Sequence, residues 1–289
     1  LIRLLILYYI LNNMEIKYIF TYWGCEGQNA KDFLSKVVAN GYSGVEINLP
    51  DDNGFIAEFL DEIEVIRNTI NKDFIFIAQQ VLPNKIENVE EYKFRLTERL
   101  HFLANCKPNY INSHTGKDFF EFSDNCKLLE QCEEIEKKTG IPIWHEIHRG
   151  RFSFHLKTLL KYLEIYPNLK LIADFSHFCV VSESDLHDQH DLLCKIYPNI
   201  KHIHARIGFE QSPQVNNPFA PEWETYLEQY LGWWKEIIEI QKKRNIKNIT
   251  ITPEFGPFPY MPQEPFTRIP LADQWETNLQ MKNYLQQNL

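Results

Sequence analysis

From residue 14 onward the chain alternates between two hydrophobic periods. Short aromatic and β-branched runs at 16–22, 44–49, 74–79, 110–114, 141–146, 169–174, 200–206 and 249–254 read as strands. Between and after them, segments at 30–40, 56–70, 88–105, 121–139, 154–166, 185–196, 223–244 and 272–286 carry apolar residues at helical spacing. In the first of these, Phe33, Leu34, Val37 and Val38 share a face and Gly41 supplies the stop; Gly140 stops the fourth in the same way. Strands alternating with helices, with no break in composition, predict a parallel sheet. Eight such units predict a single-domain α/β fold, the closed (β/α)8 TIM barrel. The alternative, a doubly wound open sheet, calls for a glycine-rich turn after its first strand. Gly24-Cys25-Glu26-Gly27 lacks the third glycine of such a turn.

Met14 is the expected start of the natural chain, which makes residues 1–13 an N-terminal extension that need not be native. Its apolar run, residues 1–11, is about half the length of a membrane span, and no small-residue cleavage site follows it. No membrane partner is therefore expected. The barrel proper is expected over 14–289.

Strand parity brings the chemistry into view. Residues two apart on a strand share a face, and the last four strands end in Trp144-His145-Glu146-Ile147-His148, Ala173-Asp174-Phe175-Ser176-His177, His202-Ile203-His204-Ala205-Arg206 and Thr252-Pro253-Glu254. Thr250, Thr252 and Glu254 alternate with Ile249 and Ile251, so the polar set points into the barrel. His202, His204 and Arg206 share one face, as do Trp144, Glu146 and His148. Acids and imidazoles aimed into a barrel are costly to bury unless paired or bound to a metal. In a parallel barrel all strands end at one rim. Glu146, Asp174, His204 and Glu254 are therefore predicted to meet around one divalent ion. Taken singly, each would pass for a helix cap or a satisfied loop residue. The set is oxygen-rich with one imidazole and no thiolate, which suits manganese, cobalt, magnesium or zinc in an open rather than a structural site.

Charge and cysteine content narrow the partners. A net charge of −9 over 289 residues argues against a nucleic-acid partner held by its phosphates. The six cysteines form no C-x-x-C pair and read as reduced, buried thiols of a cytoplasmic protein.

With these residues placed, the chain from 14 to 289 resembles the sugar isomerase/epimerase superfamily of xylose isomerase-like TIM barrels. The resemblance is carried by Glu146, by the D-x-x-H stretch Asp174-Phe175-Ser176-His177, by His202-Ile203-His204 and by Pro253-Glu254. It implies that Glu146, Asp174, His204 and Glu254 bind the metal and that His177 and Arg206 contact the carbonyl end of a substrate. The implied activity is a metal-dependent isomerisation or epimerisation of a small sugar, sugar phosphate or keto-polyol. The alternatives are a lyase or dehydratase on the same barrel, or a phosphodiesterase similar to endonuclease IV. Departures from the endonuclease pattern are Gln79-Gln80 at the end of strand three and the missing D-x-H after Arg206. His114 does match that family's strand-four histidine. The stretch His145-Glu146-Ile147-His148-Arg149-Gly150-Arg151 differs from the well-studied epimerases and suggests a subgroup of its own.

On this reading Glu146 and Glu254 are the acid/base pair, and double as ligands. His148, Arg149 and His114 are candidate binders of sugar hydroxyls or a phosphate. Trp23, Glu46 and Gln79 are expected to shape the pocket. The aromatic, proline-rich stretch Phe255–Ile269 is expected to act as a lid or as a contact in a homo-oligomer.

Overall fold

The computed structural model describes residues 14–289; the extension at 1–13 lies outside the described residues. Eight strands form a closed parallel barrel: β1 (Glu15–Thr21), β2 (Gly44–Ile47), β3 (Ile75–Gln80), β4 (Tyr110–Ser113), β5 (Ile143–Glu146), β6 (Leu171–Ala173), β7 (Ile200–His204) and β8 (Asn248–Thr252). Each pairs with the next, and β8 returns to β1 in the register Glu15↔Asn248 to Tyr18↔Ile251. The outer layer holds α1 (Ala30–Ala39), α2 (Asn53–Thr69), α3 (Val89–Asn105), α4 (Phe122–Thr139), α5 (Leu156–Ile165), α6 (Ser176–Ser182), α7 (His190–Ile196), α8 (Glu224–Lys243) and α9 (Gln274–Asn288).

Local chemistry sets the helix limits. Asn88 accepts from the Glu91 backbone N–H while the Glu91 side chain accepts from Asn88, a capping box that starts α3. Asp52 and Asp273 cap α2 and α9. Gly140 ends α4 in the left-handed region, at φ 72°, where a side chain would be strained.

The pleat separates two cores. Phe20, Val45, Phe76, Ile111, Leu171, Ile203 and Ile251 face outward and merge with the apolar helix faces into one large cluster. Inside the barrel the apolar content is small: Ile19, Ile75, Ile77 and Tyr110 form a separate cluster with Trp144 packed against it. The Tyr110 and Trp144 rings stack at 3.6 Å. Above this plug the interior is polar.

Two features differ from the sequence expectation. Strands β6, β7 and β8 end earlier than their hydrophobic patterns, so Asp174, Arg206 and Glu254 stand just beyond the paired ladder. The helix expected over 185–196 is a 3-10 turn (His187–Gln189) followed by α7, and α6 lies outside every segment with helical spacing. Seven residues with two adjacent valines give little periodicity. What starts the turn is Asp174, whose Oδ1 accepts from the Ser176 backbone N–H at 3.1 Å.

Candidate metal centre

β5 carries Glu146 at its end and β7 carries His204, while Asp174 and Glu254 follow β6 and β8 directly. Their side chains are almost wholly buried, with residue exposures of 2, 0, 1 and 3 % for Glu146, Asp174, His204 and Glu254. One donor atom from each lies within 4.8 Å of the others. His204 Nδ1 is 2.9 Å from Glu254 Oε2 and 3.6 Å from Glu146 Oε2. Asp174 serves two ends: Oδ1 starts α6, while Oδ2 pairs with the Arg206 guanidinium.

Beneath this set sits Glu46, a fully buried carboxylate on β2. It accepts from Asn112 Nδ2 at 2.7 Å, from Thr252 Oγ1 at 2.9 Å and from His204 Nε2 at 3.0 Å. A carboxylate only accepts, so the Nε2 of His204 carries the hydrogen and Nδ1 is the nitrogen presented to Glu254 and Glu146. Asn112 donates to Glu146 as well, at 2.7 Å, and so ties the two acids to one amide.

The titration behaviour follows from this crowding. Burial works against the charge of Glu46, but His204 and His202 hold it below the usual carboxylate range. Burial likewise opposes ionisation of Glu146, yet His114 and His204 keep it well below its ordinary value. Asp174 is pushed up to about 6 by burial, against the pull of Arg206. Glu254 is also raised, burial outweighing His204 and Arg206. Burial disfavours the His204 imidazolium, but Glu254, Glu46 and Glu146 together raise its pKa well above normal.

Two observations fit a cation to this set. Four buried carboxylates (Glu46, Glu146, Asp174 and Glu254) converge with a single guanidinium, Arg206, and the imidazoles of His114, His202 and His204, and a dication would offset the carboxylate charge. His204 Nδ1 is buried without a hydrogen-bond partner, yet points at carboxylates. Hard oxygen donors with one imidazole suit manganese, cobalt, magnesium or zinc.

Above the set opens a cavity of about 630 Å³, lined among others by Trp23, Gln79, His114, His148, Arg206 and Tyr260. His114 donates from Nε2 to Glu146 at 2.9 Å. The His148 ring packs 4.6 Å from His114 and 3.8 Å from His177. His148 Nδ1 donates to the Arg149 carbonyl at 2.6 Å, which leaves its Nε2 unprotonated near the Tyr260 hydroxyl. His177 Nε2 accepts from Arg206 at 2.9 Å. Burial first, and then the neighbouring histidines and arginines, hold both His148 and His177 well below the ordinary imidazole range. Arg149 lies 5.2 Å over the Tyr260 ring and is not part of the cavity wall. A slightly larger cavity, about 690 Å³, opens at the opposite end around Lys17, Lys72, Lys107 and Trp144. Among the described residues it holds no cluster of acids and imidazoles, so the mouth with the donor set is the functional candidate.

Of the pocket-shaping residues expected from sequence, Trp23 and Gln79 line the cavity. Glu46 does not: it lies deeper and orients His204. Its sequence signal was the same as that of Glu254, an acid of inward parity at the end of a buried strand. Of the aromatic loop, Tyr260 lines the cavity, while Phe258 and Phe266 are exposed.

Neither a family model nor a curated relative matches the chain at the sequence level. Solved structures do. The probable 3-DHS dehydratase AsbF of Bacillus anthracis is 20 % identical, with a TM-score of 0.60 over 94 % of this chain and 99 % of that one. A D-psicose 3-epimerase, solved in the presence of D-fructose, is 15 % identical with a TM-score of 0.61 over 94 % and 99 %. Endonuclease IV of Thermus thermophilus is 11 % identical with a TM-score of 0.61 over 94 % and 100 %. Three chemistries thus share one scaffold with this chain, and fold alone does not choose between them. The chain is a single-domain closed (β/α)8 barrel with the fold of the xylose isomerase-like TIM barrel proteins.

Proposed function

We propose that the protein is a metal-dependent isomerase or epimerase of a small sugar, sugar phosphate or keto-polyol, acting by proton abstraction next to a carbonyl. The observation that carries this reading is the approach of Glu146, Asp174, His204 and Glu254 donor atoms to within 4.8 Å at the floor of the mouth cavity. A divalent ion held there supplies Lewis-acid polarisation of a carbonyl and acidifies the neighbouring C–H bond. Glu146 and Glu254 come from strand ends three positions apart around the barrel. They reach a molecule in the mouth from different sides, so one carboxylate removes the proton and the other returns it. Arg206, fixed by Asp174 and His177, places its guanidinium beside Glu254, where it stabilises negative charge developing on an oxygen. His114 and His148 border the rest of the cavity and offer imidazoles to hydroxyl groups.

The test is proton exchange in D2O, followed by NMR on ketoses, ketose phosphates and keto-polyols with protein loaded with manganese, cobalt, magnesium or zinc. The wild-type protein is expected to exchange the hydrogen beside the carbonyl, and Glu254→Gln to slow that exchange by roughly 10²-fold or more with the fold intact. Exchange at the wild-type rate in Glu254→Gln overturns the role of Glu254. Absence of exchange by the wild-type protein on every compound overturns the reaction. Product mass separates isomerisation from dehydration, since only the latter loses water.

A further inference from the structure

The loop after β5 carries a charge for which the donor set has no use. Arg151 is only 8 % exposed, yet it lines the mouth cavity beside His148 and Glu146. Its Nε is buried without a hydrogen-bond partner, and its guanidinium makes no side-chain hydrogen bond or ion pair among the described residues. The two other arginines lining the cavity are occupied: Arg99 by the Leu49 carbonyl at 2.6 Å and Arg206 by Asp174. A second buried cation, outside the cavity wall, lies near enough to feel the charge of Arg151. Lys117 is 7 % exposed, donates to Asn84 Oδ1 at 3.0 Å and has no carboxylate within ion-pair distance. Burial and then the charge of Arg151 lower its pKa, while Glu87, already paired, and Asp118 offset part of that.

The backbone holds this arrangement in place. Gly150, at φ 74°, allows a tight turn in which the Arg151 N–H donates to the His148 carbonyl at 3.2 Å. Ser153 braces the turn by donating to the Glu146 carbonyl at 2.6 Å. Burying a guanidinium without an anion is costly, and its planar fork matches carboxylate and phosphate oxygens.

We propose that Arg151 is a subsite for an anionic group, phosphate or carboxylate, on the substrate. The substrate class is then an anionic hydroxy-carbonyl compound rather than a neutral sugar. The inference rests on the mouth being the substrate site, as proposed above, but its test reads binding without turnover.

The test titrates magnesium-loaded protein by calorimetry with inorganic phosphate and, separately, with succinate. The wild-type protein is expected to bind one of them, and Arg151→Met to weaken it by roughly tenfold or more. The melting temperature of Arg151→Met is expected to stay level or rise, because an unpaired buried charge is removed. Preference for phosphate assigns a phosphate ester, preference for succinate a carboxylate. Should Arg151→Met not fold, Arg151→Gln decides, lost binding supporting the subsite and retained binding overturning it. Binding of neither anion by the wild-type protein, or equal binding by Arg151→Met, overturns the proposal.

Discussion

Replacing Glu46 by glutamine is a test of how the donor set is held. The change keeps shape and volume but alters the hydrogen-bond logic. Asn112 Nδ2, Thr252 Oγ1 and His204 Nε2 all donate to the Glu46 carboxylate, at 2.7, 2.9 and 3.0 Å. Glutamine offers one oxygen and one N–H2 group, so at least one of these donors meets another donor. A buried donor left unsatisfied costs about 1–3 kcal/mol of stability. The second effect is on the metal. Without the carboxylate, the hydrogen on His204 Nε2 loses its charged acceptor, and the tautomer that presents Nδ1 to the site is no longer enforced. Loss of such an outer partner weakens metal binding by roughly 10–100-fold, which is about 1.4–2.8 kcal/mol. Competition against a chromophoric chelator measures the affinity for manganese or zinc, and urea denaturation of the metal-free protein measures the stability. Affinity in Glu46→Gln within about twofold of wild type, under conditions where Glu254→Gln loses the ion, would refute the reasoning.

Three further outcomes follow from the structure. In the metal-free protein Asp174 is raised from 3.8 to about 6, so a proton competes with an ion for the same carboxylate. Metal affinity is therefore expected to fall as pH drops through 6, and a flat profile from pH 7 to 5 would contradict the assignment. Stability of the metal-free protein shifts the other way. A raised carboxyl pKa contributes stability that is full below 3.8 and lost as pH rises through 6, which denaturation at several pH values reads directly. Gly256→Ala is expected to destabilise the fold by about 1–3 kcal/mol, because a Cβ there would stand 2.1 Å from the Trp23 ring. The backbone has little room to retreat, its N–H and carbonyl both being bound by the Gln214 side chain. An unchanged urea midpoint in that variant would count against this packing.

The barrel was legible in the sequence because each strand alternates and each helix repeats at its own period. The rim acids were legible for the same reason: Thr250, Thr252 and Glu254 break the isoleucine pattern of β8 on one face only. Less legible was where each ladder stops, since the polypeptide at Asp174 and Arg206 continues in extended or turning form without a change in residue type. Glu46 shows a different limit. Its parity was visible, but whether an inward acid reaches the ion or stands behind a ligand depends on which strands face each other across the barrel, and β2 faces β7 only once the barrel is closed. Arg151 was hidden more deeply. It sits in a loop with no period, and its significance is the lack of a partner, which no stretch of sequence displays.

That closure has a consequence for how the site comes into being. The four donors belong to residues 146–254, whereas Glu46 and Asn112, which orient them, belong to the first half of the chain. The halves meet at two seams, β4–β5 (Ile111↔Ile143 to Ser113↔His145) and β1–β8 (Glu15↔Asn248 to Tyr18↔Ile251), and the second closes the ring. A fragment lacking the first half therefore owns all four proposed ligands but not the carboxylate that orients His204. On the proposed metal site, capture of an ion during refolding would become a clock for ring closure, with tight binding expected only once both halves are joined.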